Sequence, residues 1–298
     1  MRMSLQNGIL NLHKPPGITS RQAVDHVARL AGRSKVGHAG TLDPLASGVL
    51  VVCVGSATRL IESIQGMAKT YRATILLGAR SDTLDALGKV TLEDSPRPPA
   101  LSDIQRAIQD YQGEIWQRPP SFSALKVKGR RAYDLARSGQ PIDLPPRRIR
   151  IDRVELVDYS WPRLQLEIEC GGGTYIRSLA ADLGEALGCG GLLEALIRSR
   201  IGPFDLATAC TLEELTPATF LGSIRPPLEA VAHLPRVVLS ESLAEDVRQG
   251  RPIAAGPPES DPACLQDVVL VTADGSLVAI AEWDVLRPGW LQPRKVFR

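Results

Sequence analysis

Gly37-His-Ala-Gly-Thr-Leu-Asp-Pro-Leu-Ala-Ser-Gly48 runs directly into the apolar segment Val49-Leu-Val-Val-Cys-Val54. Three glycines, a proline, one histidine and one carboxylate share the first twelve residues. The apolar residues behind them have the length and composition of a buried strand. Glycine opens left-handed and crowded backbone conformations, and the residue before a proline is pushed out of the helical region. Asp43, just ahead of Pro44, therefore sits on a fixed turn and not a swinging loop, the setting that nucleophilic chemistry asks of a carboxylate. Asp-Pro is also a common helix start, with Asp43 as N-cap and Pro44 in the first helical position. Local physics leaves both readings open.

Upstream, Gly8 to Leu12 is a short apolar run, and His13-Lys14-Pro15-Pro16-Gly17 sets a basic residue beside a turn. A helix is expected next, capped by Thr19 or Ser20, with Val24, Val27 and Ala31 at helical spacing and Gly32 as its stop. Downstream, Thr70 to Leu77 puts Tyr71, Ala73, Ile75 and Leu77 on one face of a strand. Arg80 to Gly88 is acidic and turn-rich. Ser102-Asp-Ile-Gln105 has the pattern of a capping box before Ile104, Ala107, Ile108 and Tyr111, and Gly113 is expected to end that helix.

The segment 126–150 carries eight basic residues, Lys126, Lys128, Arg130, Arg131, Arg137, Arg147, Arg148 and Arg150, against Asp134 and Asp143. A solvated charged face explains most such runs. Here Tyr133, two glycines and three prolines interrupt it, which favours a projecting loop with phosphate-contacting side chains. Leu164, Leu166, Ile168 and Cys170 alternate as a strand, and Gly171-Gly-Gly-Thr-Tyr-Ile-Arg177 leads into a helix with Ile176, Leu179, Ala180, Leu183 and Leu187 on its apolar face. Arg177 stands out, because a cation in the first turn meets the positive end of the helix dipole. Its counter-charge is an Asp side chain, an RNA phosphate or a surface carboxylate.

Residues 216–235, with Pro217, Pro226, Pro227 and Pro235, read as an irregular connection between domains. Beyond them Val268 to Thr272 and Leu277 to Ala281, joined by Asp274-Gly275, read as a hairpin in a small β-rich domain. The division expected is 1–235 and 236–298.

The whole chain has 298 residues, 44% of them hydrophobic, and 35 Lys and Arg against 33 Asp and Glu, a formal charge of +2. Bulk charge thus points to no acidic partner, and any such sign must be local. The five cysteines, Cys53, Cys170, Cys189, Cys210 and Cys264, form no C-x-x-C and no zinc spacing, and their odd number argues against a disulfide framework. No apolar stretch approaches the roughly 18 residues of a membrane span, and residues 1–8 lack the features of a signal peptide. A soluble protein of the reducing cytoplasm is expected.

The stretch Gly37 to Gly48 resembles the catalytic motif of the bacterial tRNA pseudouridine-55 synthases, the TruB family. Four companions occur in the same order: Lys14-Pro-Pro-Gly17, Lys69-Thr-Tyr71-Arg72, Pro119-Pro-Ser-Phe-Ser-Ala-Leu-Lys126 with Gly129 to Leu135 after it, and Gly173-Thr-Tyr-Ile-Arg177. The likeness spans roughly residues 8 to 204 and is far more specific than one short pattern. It implies an α+β fold: a mixed, mainly antiparallel sheet in a catalytic domain with an RNA-gripping insertion at about 120–150, followed by a small PUA-like RNA-binding domain.

The resemblance also implies roles. Asp43 would be the covalent nucleophile and Arg177 its ionic partner, while Tyr71 would stack on the uracil and serve in proton transfer. His38, which taken alone is more often a local hydrogen-bonding residue, matches the histidine that helps hold the flipped-out nucleotide. Lys14, Arg59, Tyr175, Lys126, Arg130, Arg131, Arg147 and Arg148 are the expected substrate-binding residues. The family often has Lys where this chain has Arg59, which keeps the charge but changes its geometry. The segment from Asp82 to Asp85 matches a family pattern and positions loop or ribose groups, or is a solvated turn. Because the isomerisation oxidises, reduces and hydrolyses nothing, no cofactor and no metal are expected. The implied partner is the uridine-55 region of tRNA, and the implied state is a monomer.

Two other readings use the same residues. One is the guide-RNA-directed branch of the same superfamily, against which the basic insertion and the lack of long terminal extensions argue. The other is a non-catalytic tRNA-binding or folding factor, which would not need Asp43. A metal-dependent hydrolase built on His38 and Asp43 lacks the further His, Cys or Glu ligands such a site requires.

Overall fold

The structure is a computed structural model that describes residues 7–123, 125–127, 130–131, 144–256 and 267–297, with backbone alone at 126–127 and 130–131. The first strand, β1 (Gly8–Lys14), is followed by helix α1 (Ser20–Ala31). Thr19 caps α1 by accepting from the amide of Gln22 at 3.1 Å, and the Gln22 carboxamide accepts from the Thr19 amide at 2.8 Å. Val24, Val27 and Ala31 are buried, and Gly32 ends the helix at φ +62°, as the spacing predicts.

A short strand β2 (Val36–His38) precedes β3 (Ser47–Val54), which contains the apolar run. Alternate residues of β3 enter two different cores. Leu50, Val52 and Val54 pack with Leu10, Leu12, Val24 and Val27, while Val49, Val51 and Cys53 pack with Ile9, Ala57, Leu60 and Phe204. A strand buried on both faces needs no polar alternation. Each fully buried Val or Leu contributes about 2 kcal/mol of transfer free energy. The base of the Asp43 turn is therefore fixed to the most deeply buried part of the sheet.

Helix α2 (Ile61–Gly66), the long strand β4 (Lys69–Leu77) and the hairpin of β5 (Ala79–Ser81) and β6 (Val90–Leu92) come next. Tyr71, Ala73, Ile75 and Leu77 of β4 are buried together, as period two requires. Helix α3 (Leu101–Gln109) departs from expectation at both ends. Ala100 occupies the N-cap with no side-chain bond, Ser102 lies inside the first turn, and the helix stops at Asp110. Packing of Ile104 and Ile108 into the core sets that register in place of the capping pattern. Gly113, at φ +92°, opens the following strand β7 (Gly113–Gln117).

The basic segment divides. Its start forms a small hairpin, β8 (Lys126–Val127) with β9 (Arg130–Arg131), whereas Arg147, Arg148 and Arg150 lie in the long strand β10 (Arg147–Ser160) and not on a projecting loop. Lys128 and Arg137 lie outside the described residues. Strand β11 (Arg163–Cys170), helix α4 (Ile176–Ala186), strand β12 (Gly191–Ile201) and strand β13 (Phe204–Asp205) complete the larger sheet. Its order is β1-β3-β12-β4-β11-β10-β7, with β2 beside β3 and β13 beside β12. All its pairs are antiparallel except β12 with β3, where Arg198 lies opposite Gly48.

The proline-bearing stretch 216–235 is not a free connection. Phe220 joins the main core, Arg225 exchanges two backbone hydrogen bonds with Ile9 at 2.8 and 2.9 Å, and Ala230 and Val231 are buried. From Arg236 on, β14 (Arg236–Leu239), helix α5 (Glu241–Arg248), β15 (Ile253–Ala254), β16 (Val268–Thr272), β17 (Leu277–Trp283) and β18 (Trp290–Val296) build a five-stranded sheet in the order β14-β16-β17-β18-β15. The Asp274-Gly275 hairpin forms as expected, with Gly275 at φ +82°. Val269, Val271, Ile280 and Phe297 of this unit share a core with Ile9, Val49 and Val51. Among the described residues, no helix is long and apolar enough to cross a membrane.

Candidate active site

The helix-cap reading of Asp43 is overturned. The chain makes one turn, closed by the Ala46 amide donating to the Asp43 carbonyl at 3.0 Å, and then enters β3. Strand pairing wins over the local Asp-Pro preference, because Gly48 is already committed to Lys14 on one side and Arg198 on the other. Gly48 has φ +106°, and a Cβ there would stand 2.2 Å from the Arg198 carbonyl oxygen, so only glycine fits. Two more bonds fix the turn. The Gly17 amide donates to the Pro44 carbonyl at 2.7 Å, and Ser20 Oγ donates to the Leu42 carbonyl at 2.9 Å.

Arg177, in the first turn of α4, reaches this turn. Its Nε lies 2.9 Å from Asp43 Oδ2, and its Nη2 donates to Asp43 Oδ1 at 3.3 Å. The same guanidinium donates to the carbonyls of Phe122 at 2.9 Å and Thr83 at 3.1 Å, and pairs with Asp85 at 3.6 Å. Asp43 itself is therefore the counter-charge that the helix position demanded. The pair is asymmetric: 36% of the Asp43 side chain is open to solvent against 7% of Arg177. Burial raises the Asp43 carboxyl above its ordinary range; Arg177 opposes the rise and Asp85 adds to it. Asp85 is held by Thr83 Oγ1 at 2.7 Å and the Leu87 amide at 3.0 Å, so it is a buried support, whereas Asp82 at the other end of the acidic stretch is exposed in a turn.

Lys14 is wholly buried, donating to the carbonyls of Pro15 and Ile18 at 2.8 Å each, and desolvation lowers its ammonium to about 8 against the pull of Asp43. His38, on β2, has its pKa lowered by burial first and by Arg198 second, which keeps the imidazole neutral at pH 7. Its Nδ1 is buried without a hydrogen-bond partner. Tyr71 is 6% exposed; burial pushes its phenol up, and the neighbouring Arg198 pulls it back.

Tyr175 sits just before α4, half-buried, with its amide and carbonyl clamped by the Gln117 carboxamide at 2.8 and 3.0 Å. Arg147 stacks 4.9 Å over its ring and bonds the Gly173 carbonyl. Arg148 lies 5.8 Å over the exposed Trp116 and 3.6 Å from Glu114. The side chains of Lys126, Arg130 and Arg131 lie outside the described residues. Arg59 does not join the Asp43 group; it bonds the Val296 carbonyl and ties the turn after β3 to the last strand. Gln117 and Arg198 carry no signature that would separate them from ordinary strand residues in the sequence. Among the described residues, no group of three or more His, Cys, Asp or Glu side chains converges.

Comparison with known proteins adds to this geometry. Residues 28–176 match the N-terminal domain of TruB family pseudouridylate synthases, and residues 177–236 match the tRNA pseudouridylate synthase B C-terminal domain. A tRNA pseudouridine synthase B of Dehalococcoides mccartyi is 41% identical over 301 residues, covering 98% of this chain and 96% of that one. Another, from Moorella thermoacetica, is 41% identical over 304 residues, covering 98% and 99%. Among solved structures, an H/ACA RNP bound to a substrate RNA containing 2'-deoxyuridine aligns with a TM-score of 0.74 at 26% identity, covering 99% of this chain and 86% of that one. A Cbf5-Nop10-Gar1 complex aligns at 0.75 with 28% identity and the same coverage. With both domain models matched in sequence order and relatives aligned over nearly its full length, the chain belongs to the TruB family of pseudouridine synthases.

Proposed function

We propose that the protein converts uridine-55 in the T loop of tRNA to pseudouridine, with Asp43 as the nucleophile. The observation that carries this reading is the Asp43–Arg177 pair. A carboxylate oriented from behind by a buried guanidinium, with its free side open, is built to attack and not merely to hold the fold together. The reaction breaks the bond between ribose C1′ and uracil N1, turns the base and joins C5 to C1′. The C5 proton leaves and N1 gains one, so the sum is an isomerisation. The Asp43 bond forms either at ribose C1′ as N1 departs or at uracil C6 before it does, and it breaks again once C5 has joined C1′, which regenerates the carboxylate.

The other residues take supporting parts in this reading. Tyr71 lines the site from β4, where its ring stacks on the uracil and its phenol serves in proton transfer. The uridine is stacked inside the folded loop, so extracting it costs a few kcal/mol. His38, neutral and half-buried, offers a hydrogen bond to the extruded nucleotide. Tyr175 takes a substrate-binding part, while Lys14, wholly buried, bears on Asp43 through its charge. The segment 126–150 grips the RNA, and residues 236–298 act as the small PUA-like RNA-binding domain. In this reading the protein is a cytoplasmic enzyme that acts as a monomer.

The test is an incubation of purified protein with an unmodified tRNA transcript, a metal chelator and no other RNA, followed by mapping of pseudouridine at single-nucleotide resolution. Product at position 55 alone is expected. Product only after a guide RNA is added would move the protein to the ribonucleoprotein branch. Tight tRNA binding with no product would make it a binding or folding factor.

A further inference from the structure

Arg198 is the bulkiest of the fully buried side chains, at 1% exposure, in the middle of β12. Its hydrogen bonds run to main-chain carbonyls of one segment: Nε to Val49 at 2.8 Å, Nη2 to Gly40 at 3.0 Å and Nη1 to Thr41 at 3.5 Å. No carboxylate ion-pairs with it among the described residues. Burying a guanidinium with no carboxylate partner carries a large desolvation penalty, and an apolar residue of similar volume would fill the same space without it. The three carbonyls flank Asp43 on both sides in the chain. Arg198 is also the register partner of Gly48 in the parallel pair and of Tyr71 in the antiparallel pair, and the Tyr71 phenol lies within its hydrogen-bonding reach.

We infer that Arg198 is a positioning residue that fixes the Asp43 turn and the Tyr71 phenol relative to each other, from behind both. The inference rests on the roles proposed above for Asp43 and Tyr71. Arg198 is 1% exposed and bonds the main chain on either side of Asp43, not its carboxylate, so its effect passes through those two residues. The groups facing the phenol are Arg198 from β12, Cys170 from β11 and Asp43 from the turn. Cys170, pushed up to about 11 by burial, is uncharged at neutral pH. The cation is therefore what offsets burial of the Tyr71 phenol, and its removal sends any kinetic limb that belongs to Tyr71 to higher pH.

The experiment compares wild type, Arg198→Lys, Arg198→Met, Tyr71→Phe and the two double variants, measuring single-turnover rate, tRNA Kd, the pH profile and thermal melting. Arg198→Met is expected to slow the reaction about 100-fold with Kd within about threefold, and to shift the alkaline limb upward. Arg198→Lys, which keeps the charge, recovers part of the rate and keeps the limb in place. In the Tyr71→Phe background either substitution costs much less than in wild type. If Arg198→Met fails to fold, the same loss of effect for Arg198→Lys in that background decides the matter. Losses that multiply in the double variants, or a folded variant with wild-type rate and pH profile, overturn the inference. A wild-type rate for Tyr71→Phe instead overturns the Tyr71 assignment beneath it, whatever Arg198 does.

Discussion

Replacing Arg177 by Lys keeps the charge and removes the fork, and the structure sets the size of the loss. The guanidinium serves five groups at once: both oxygens of Asp43, the carbonyls of Phe122 and Thr83, and Asp85. An ammonium is a single point with three donors and cannot span them. One charge-assisted bond to Asp43 and one to a carbonyl are lost at the least, together about 3 to 4 kcal/mol. If that loss falls on the transition state, kcat drops by about 10² to 10³. KM for tRNA is expected to stay within about threefold, because Arg177 is buried and little of it is left for RNA to touch. Weaker pairing also lets the Asp43 carboxyl rise further, so the acid limb of kcat moves to higher pH. The C5 hydrogen leaves in the reaction, so release of tritium from tRNA labelled at uridine C5 gives both constants directly. A kcat within threefold of wild type, or a raised KM with kcat unchanged, would refute the reasoning.

Three further expectations follow from other parts of the molecule. Gly48→Ala places a Cβ 2.2 Å from the Arg198 carbonyl at φ +106°, and a cost of about 3 kcal/mol should lower the melting temperature by several degrees; an unchanged melt would contradict the packing. Lys14 titrates at about 8 in the folded chain against 10.5 unfolded, so the unfolded state binds more protons as pH passes 8, and stability should rise by about 1 kcal/mol from pH 7 to 9 through this group. Lys69 adds a similar rise, and denaturant unfolding of Lys14→Met should show the smaller slope with pH. Replacing Arg130, Arg131, Arg147 and Arg148 together by neutral residues should weaken tRNA binding and flatten the plot of log K against log salt by up to about three units, whereas an unchanged slope would take these residues out of the RNA contact.

What could be read from the sequence was mostly local. The β3 run, the alternation of β4 and β11, the Thr19 start and Gly32 stop of α1, the apolar face of α4 and the Asp274-Gly275 hairpin each follow from spacing within about a dozen residues. Readings failed where a distant partner overrode a local preference. Asp43-Pro44 turns into a strand because Gly48 pairs with Lys14 and Arg198, and α3 starts before its apparent cap because Ile104 and Ile108 must reach the core. The glycines and prolines between them and Lys126 favour a loop for Arg147 and Arg148, yet strand pairing with β7 places them opposite Gln117 and Trp116. Within the site, Arg177 announced itself by being in the wrong place for a helix dipole. Arg198 gave no such sign, since a cation in a strand ordinarily points to solvent, and only the sheet order turns it inward.

The central claim is that the Asp43 carboxylate is the nucleophile, and Asp43→Asn tests it most directly because the amide keeps the size of the side chain while removing its charge. A single-turnover assay on unmodified tRNA, with enzyme in excess and Kd measured on the same preparation, should show no pseudouridine at position 55 over hours, with Kd within about threefold of wild type. Formation of pseudouridine at the wild-type rate by that variant would contradict the account.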